Sequence, residues 1–187
     1  MDVPDVKLVN QCLSGDNSAY DTLVRRYQKA VYGLCYRMLG NYDDAVDISQ
    51  DAFVKAYHAL ESFKQESKFS TWLFGIANNA CIDHLRKRTR RHSESLDRMI
   101  EDGCELPTTE SGPETQVIRD ETGRTIRDAL SRLSEKQRAA LVMFHYGGLS
   151  VKEISENMKR PEGTVKSDLH FARAALRRTL GSVVADI

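Results

Sequence analysis

The chain has 187 residues, and its 27 basic and 27 acidic side chains cancel to a formal net charge of zero. This length allows one mid-sized domain or two small ones, and the charge total alone points to no partner. No apolar stretch is long enough to span a bilayer, and the N-terminus lacks the basic and then apolar pattern of a signal peptide. We therefore expect a cytoplasmic protein.

Helical periodicity fills the N-terminal half, and no segment alternates long enough to predict a β-strand. We expect four helices, at about residues 3–13, 18–39, 41–62 and 70–88, with stops near Gly15 and Gly40. Two of these helices have apolar stripes that predict buried faces. The stripe of the third helix is Ala45, Ile48, Ala52, Ala56 and Ala59, and that of the fourth is Phe69, Leu73, Ile76 and Ala80.

The C-terminal half follows a segment, residues 103–113, that is rich in Pro, Gly, Ser and Thr and predicts a domain boundary. Capping boxes at 134–137 (SEKQ) and 150–153 (SVKE) predict helices that end near Tyr146 and Met158. A turn at 159–162 and a helix at about 164–180 follow. The predicted fold is all-α, with two small helical domains, residues 1–92 and 114–187, joined by an acidic, flexible linker at 93–113.

The last two predicted helices match the helix-turn-helix pattern, in which a short turn joins a first helix to a second one that carries cations. We expect Ile154, Met158, Val165 and Leu169 to pack between them. Gly163 should ease the entry into the second helix, and Thr164 should cap it. An ordinary hairpin with a solvated basic face is the alternative. The expected contacts with duplex DNA are Thr164, Lys166, Ser167, His170, Arg173 and Arg177.

Residues 69–91 combine aromatic rings and amides with a basic end, in which every residue of 86–91 except Thr89 is basic. Rings on which bases stack, next to cations that follow phosphates, are typical of single-stranded DNA binding. The alternative is that Phe69 and Trp72 belong to the core, and that the cations merely complement a helix dipole.

These segments resemble a known family, the extracytoplasmic-function (ECF) sigma factors of bacterial RNA polymerase. Residues 43–53 (DDAVDISQDAF), 69–73 (FSTWL) and 76–79 (IANN) are similar to sigma domain 2. Residues 149–154 (LSVKEI) and 163–167 (GTVKS) are similar to the helix-turn-helix of sigma domain 4. The resemblance covers nearly the whole chain except the linker. It implies a sigma factor that binds core polymerase and directs promoter-specific initiation.

The resemblance also implies partners and residue roles. The acidic third helix should dock on the β′ clamp helices of core polymerase through Asp44, Asp47, Gln50, Asp51 and Phe53. Domain 2 should read the melted −10 element, with the loop at about 63–68 accepting a flipped base. The residues expected to contact it are Phe63, Lys68, Asn78, Asn79, Arg86, Lys87, Arg88, Arg90 and Arg91.

Domain 4 should bind the duplex −35 element and touch the β flap, and the family implies an anti-sigma factor as a further partner. The family commonly has Arg where this chain has Asp168 and Phe171. An acidic residue on the recognition helix would repel phosphate unless it accepts from a cytosine amino group or pairs with a neighbouring cation.

No catalytic or metal-binding constellation is evident. The four cysteines form no CxxC pair, and the five histidines are scattered without metal-ligand spacing. We therefore expect no enzyme activity, no metal and no cofactor. Two other functions remain open: a free-standing helix-turn-helix regulator, which would leave the acidic helix unexplained, and a sigma-like decoy that sequesters an anti-sigma factor.

Overall fold

The computed structural model describes residues 3–102 and 120–181, which form eight α-helices and one 3-10 helix without any β-strand. The all-α prediction is thereby confirmed. The N-terminal unit contains α1 (Asp5–Leu13), α2 (Asn17–Leu39), α3 (Tyr42–His58), the 3-10 helix (Leu60–Ser62) and α4 (Phe69–Asp102). The C-terminal unit contains α5 (Asp120–Ser131), α6 (Glu135–His145), α7 (Val151–Met158) and α8 (Glu162–Leu180).

Local chemistry sets the ends of several helices. The Asp16 carboxylate accepts a 3.0 Å hydrogen bond from the Ser18 amide at the start of α2. Gly40 ends α2 in the left-handed region, with a φ of 73° that an L side chain rarely adopts. Both predicted capping boxes form, at the N-termini of α6 and α7.

The fourth helix is longer than predicted. We expected it to end near Arg88, but its backbone continues to Asp102. No Gly or Pro occurs between Arg88 and Gly103, so nothing in the sequence breaks the helix. The helix therefore runs into the first part of the predicted linker. Residues 103–119, with most of the predicted linker and the first residues of the predicted second domain, lie outside the described part of the chain.

The core of the N-terminal unit lies between α2, α3 and α4. Ala45, Ala52 and Ala56 are fully buried on α3, as predicted, whereas Ile48 and Ala59 are half-buried. Ser49 is buried on the same helix because its hydroxyl donates a 2.8 Å hydrogen bond to the Val46 carbonyl. The predicted face of α4 is buried at Phe69, Leu73 and Ala80 and half-buried at Ile76.

The two units pack directly against each other. A continuous set of buried apolar side chains joins them, with α2 against α5 and α6 and α4 against α6 and α7. Arg138 on α6 donates a 2.6 Å hydrogen bond to the Met38 carbonyl at the C-terminal end of α2. The guanidinium thus meets a helix end that carries partial negative charge. Burial lowers the Arg138 pKa from its ordinary value.

Two glycines allow the closest contacts between the units. A Cβ atom on Gly33 would lie 1.9 Å from the Tyr146 hydroxyl oxygen, and one on Gly75 would lie 2.0 Å from Asn157 Oδ1. Tyr146 also stacks with Arg37, whose guanidinium carbon lies 3.9 Å from the ring centroid. The absence of a side chain at these two positions lets α6 and α7 approach α2 and α4.

Candidate nucleic-acid and protein interfaces

The outward face of α3 combines acidic, amide and apolar side chains. Asp47, Gln50 and Val54 recur at helical spacing, and all three are exposed. Val54 is 55% exposed, although it is a large apolar residue. The sequence prediction included Asp47 and Gln50 but missed Val54. Its position one turn beyond Gln50 could have indicated that it lies on the same face of the helix. A rigid helix with charges around an apolar centre is suited to binding a protein.

The other three residues predicted for this face are placed differently. Asp44 turns towards α4, where its carboxylate lies 3.3 Å from His84 Nε2 and 3.7 Å from Arg88 Nη1. Asp51 forms a 2.7 Å ion pair with Lys55 on its own helix. Phe53 packs against the core, and its backbone carbonyl accepts a 2.5 Å hydrogen bond from the Tyr20 hydroxyl. The five predicted side chains therefore do not form one exposed row.

The basic segment 86–91 in the middle of α4 forms an exposed cationic surface. Every side chain from Arg86 to Arg91 is exposed, and so are Lys68 and Asn79 nearer the start of the helix. Arg86 is 3.9 Å from Asp83, and Arg88 is within 3.7 Å of Asp44, so part of this charge is compensated at the protein surface. These exposed residues can reach a polyanion without rearrangement of the helix.

Two residues predicted to contact the −10 element are buried instead. Phe63 is 6% exposed, and its ring packs 5.2 Å from that of Trp72 and 5.7 Å from that of Phe69. In this arrangement the ring supports the loop from inside and offers no face to a base. Phe63 and Phe69 belong to the core cluster and the half-buried Trp72 packs against it, which fits the alternative for Phe69 and Trp72.

Asn78 is 1% exposed, and neither its amide nitrogen nor its carbonyl oxygen has a hydrogen-bond partner. Helical spacing places it on the same side of α4 as Thr71 and Gly75, which both contact α7. The neighbouring Asn79 is exposed. In this arrangement, therefore, Asn79 but not Asn78 is accessible to DNA.

The helix-turn-helix in the C-terminal unit is confirmed in its packing. Ile154, Val165 and Leu169 are buried between α7 and α8, and Met158 is half-buried. Lys159 ends α7 with a φ of 51°, in the left-handed region that favours glycine. The Ser155 hydroxyl donates a 2.5 Å hydrogen bond to the Arg160 carbonyl and so fixes the turn.

Two predictions about the start of the recognition helix were wrong. The helix begins at Glu162 rather than Thr164, and no side chain caps it, so Thr164 lies inside the first turn. A Cβ atom on Gly163 would have no neighbour within 4 Å, so no close contact requires a glycine there. Pro161 precedes the helix and presets its entry, because the ring fixes the φ angle near the helical value.

Asp168 forms an ion pair with Arg160, which lies in the turn before the same helix. Both side chains are largely buried, with 16% and 23% of their surface exposed. An acidic residue on this helix was expected either to accept from a cytosine amino group or to pair with a neighbouring cation. The structure shows the second arrangement. The carboxylate is therefore compensated inside the protein and holds the turn against α8.

Four of the six predicted −35 contacts line one open groove of about 390 Å³. The four are Lys166, His170, Arg173 and Arg177, at helical spacing along α8. Ser167 is exposed beside them, and its hydroxyl donates to the Gly163 carbonyl at 3.0 Å. A cationic stripe on an exposed second helix is the expected footprint of duplex DNA binding.

Arg173 is fixed at the wall of this groove. Its guanidinium carbon lies 5.1 Å from the centroid of the Phe144 ring, and its Nε donates a 3.3 Å hydrogen bond to His145 Nε2. Burial, together with the charge of Arg173, lowers the His145 pKa below its ordinary value of 6.5. At neutral pH His145 is therefore uncharged and can accept this hydrogen bond.

Comparisons with known proteins cover both helical units. The family model for Sigma-70 region 2 matches residues 23–91, and that for Sigma-70 region 4 matches residues 123–176. The ECF RNA polymerase sigma factor SigW of Bacillus subtilis is 39% identical over 93% of this chain and 95% of its own. The chain belongs to the family of ECF RNA polymerase sigma factors.

Further relatives extend this comparison. The RNA polymerase sigma-H factor of Pseudomonas aeruginosa is 38% identical over 94% of this chain and 93% of its own. The sigma factor RpoE of Bartonella quintana, solved with the anti-sigma factor NepR, is 26% identical with a TM-score of 0.69, covering 87% of this chain and 97% of that one. CnrH, solved with the cytosolic domain of CnrY, has 26% identity and a TM-score of 0.70, covering 94% and 96%.

Family membership gives the function of this sigma factor at the level of the whole chain. It directs RNA polymerase to promoters for transcription initiation, and a free-standing regulator is not favoured. Its relatives are sigma factors, which are not enzymes. No group of metal-ligating side chains occurs among the described residues, nor does any described helix have the length and apolar character to cross a membrane.

Proposed function

We propose that this sigma factor binds core polymerase and the two promoter elements through three separate surfaces. The outward face of α3 binds core polymerase, the exposed Lys68 and Asn79 with the basic segment 86–91 of α4 bind the melted −10 element, and α8 binds the duplex −35 element. The observation that carries the proposal is the presence of an acidic helix face and a cationic helix-turn-helix in one chain. A free-standing regulator needs only the second of these.

The α3 face suits the clamp helices of the β′ subunit. Asp47 can pair with a cation of a partner helix, Gln50 can donate and accept hydrogen bonds, and Val54 can bury its side chain against the partner one turn further along. Because Asp44 and Asp51 already have cationic partners in the sigma factor, we assign them a structural role and leave Asp47 as the main charged contact.

The −10 assignment rests on Lys68, Asn79 and the exposed residues of 86–91. An exposed amide can satisfy the Watson–Crick edge of a flipped base, and the cations can follow the phosphates on either side. The proposed contacts for −35 DNA are the residues of the α8 groove and Ser167, with Thr164 at the entry of the helix. Each DNA contact is weak alone, and the linkage of both to polymerase raises their effective concentration.

Run-off transcription with core polymerase and a library of promoter fragments tests the proposal. We expect Asp47→Arg to weaken core binding by at least about tenfold, because like charges would then face each other across the interface. Asp21→Arg makes the same charge change at an exposed position of α2 and is the control. Asn79→Ala should retain core binding but weaken or shift −10 selection.

A different result would favour another function. If the wild-type chain never binds core polymerase but still binds duplex DNA alone, the sigma proposal fails and the chain acts as a regulator. If it binds core but supports no promoter-directed transcription, the decoy is favoured. Sigma factors of known structure that resemble this chain were solved with an anti-sigma factor or a cytosolic partner domain. We propose that such a protein regulates this cytoplasmic, non-enzymatic subunit as well.

A further inference from the structure

The recognition helix α8 presents an exposed aromatic ring to the outside. Phe171 is 59% exposed, more than any other large apolar side chain in the described part of the C-terminal unit. The core does not need this ring, because Val165, Leu169 and Ala172 already fill the inner face of α8. Exposure of an apolar ring to water costs free energy. A binding partner that covers the ring would recover that free energy.

The surroundings of Phe171 favour a nucleic-acid partner. Ser167 lies one turn before it and Arg178 two turns after it, and both are exposed. His170 packs against the ring in a T-shaped arrangement, with centroids 5.7 Å apart and an angle of 75° between the ring planes. The cationic groove runs along the adjacent face of the same helix. The ring is therefore an apolar position within a surface of positive charge and hydrogen-bond donors.

The acidic residue one turn before Phe171 does not oppose DNA. Asp168 is 16% exposed and paired with Arg160. Its carboxylate is unavailable to accept a hydrogen bond from a cytosine amino group, so base selection on this part of α8 has to come from other side chains. Phe171 is the large side chain that remains there without a polar group.

We propose that Phe171 contacts the C5-methyl group of a thymine in the major groove of the −35 element. This inference rests on the proposed function, in which α8 enters that groove. The thymine methyl is the apolar group that a base pair offers in the major groove. A phenyl ring makes no hydrogen bond with a base edge, so its gain comes from the methyl group, which guanine, adenine and cytosine lack. Phe171 would thus select a thymine at one position.

Replacement of single thymines by deoxyuracil tests the proposal, because it removes the methyl group and leaves base pairing intact. The experiment uses polymerase holoenzyme with the full chain, on a promoter selected from the library. At one position of the −35 element we expect deoxyuracil to weaken promoter binding by about fourfold, the effect of one buried methyl group. A 5-methylcytosine at that position should bind better than cytosine.

Variants connect the effect to the residue. With Phe171→Ala, thymine and deoxyuracil should bind equally at that position, whereas Phe171→Leu should retain part of the preference. Ile126→Ala removes a side chain that is 40% exposed on α5, and it should leave the preference unchanged.

Three results would overturn the inference. The first is a promoter that is transcribed normally but shows no deoxyuracil effect at any −35 position. The second is an unchanged thymine preference in Phe171→Ala. The third is a loss of core binding by Phe171→Ala in the absence of DNA, which would make the ring a protein contact. In all three cases transcription by the wild type persists, so they differ from a failure of the proposed function, in which no promoter is used.

Discussion

Thr71 on α4 donates a 2.8 Å hydrogen bond to Glu153 on α7, across the contact between the two units. The other carboxylate oxygen of Glu153 accepts from the Ser150 amide and hydroxyl, both at 2.8 Å. One side chain therefore completes the capping box of the helix-turn-helix and ties it to the N-terminal unit. Because α7 is short, this link also fixes its position relative to α4.

Glu153 should make the stability of this contact depend on pH. Hydrogen bonds from the Ser150 amide, then the Ser150 and Thr71 hydroxyls, and the charge of Lys68 lower its pKa from 4.5 despite partial burial. A carboxyl group with a lowered folded-state pKa contributes stability that is present above 4.5 and lost as pH falls through the lower folded value. Thermal melts between neutral and strongly acidic pH should show this loss.

Glu153→Gln is the matching variant, since a glutamine still completes a capping box. It should be less stable than the wild type at neutral pH and should show a weaker decline towards acid. An identical acid dependence in both proteins would mean that other carboxylates control it.

Gly75→Ala should weaken the contact between the units. Alanine normally stabilises a helix interior by up to about 1 kcal/mol relative to glycine. Here the added Cβ atom would lie 2.0 Å from Asn157 Oδ1, so the Asn157 side chain must rotate away and lose its 3.4 Å hydrogen bond to the Thr71 carbonyl. We expect Gly75→Ala to lack the usual gain from alanine and to have a lower melting temperature than the matched control variant. Gly163→Ala is the control, because its Cβ atom would have no neighbour within 4 Å.

Lys159→Gly should stabilise the protein by about 0.5–1 kcal/mol, because glycine adopts a positive φ without a steric cost. Lys159 has a φ of 51° at the end of α7. Denaturant unfolding measures the change. The same substitution at Lys152, an exposed residue within α7, should destabilise the protein by about 1 kcal/mol. Destabilisation by both substitutions would contradict the assigned role of the turn.

The Arg160–Asp168 ion pair should favour DNA binding, because Arg160 neutralises the negative charge of Asp168. Arg160→Ala leaves the Asp168 carboxylate uncompensated on the recognition helix, so we expect weaker binding to a −35 duplex than in the wild type. The double variant Arg160→Ala, Asp168→Ala should recover much of the loss. Binding curves at several salt concentrations measure both effects, and additive losses in the double variant would exclude the compensation.

Short-range signals in the sequence were sufficient for most helices and for the family. The capping boxes at Ser134 and Ser150 and the helix stop at Gly40 involve residues a few positions apart, and the structure confirms them. The wrong start of α8 has the same origin, because Thr164 resembled a cap although the helix begins at Glu162, directly after Pro161. The segments that resemble sigma domains 2 and 4 were likewise contiguous motifs.

Contacts between distant faces required the tertiary structure. Thr71 and Glu153 are 82 positions apart, and no periodicity indicates which helix faces meet. The same holds for Asp44, which turns from the exposed row towards His84, and for Asn78, which is buried while Asn79 is exposed. An amphipathic pattern predicts that one face of a helix is buried, but only the tertiary packing determines which other helix buries it. Hence the sequence predicted which helices of this sigma factor form its binding surfaces, and the tertiary packing determined which residues are accessible on them.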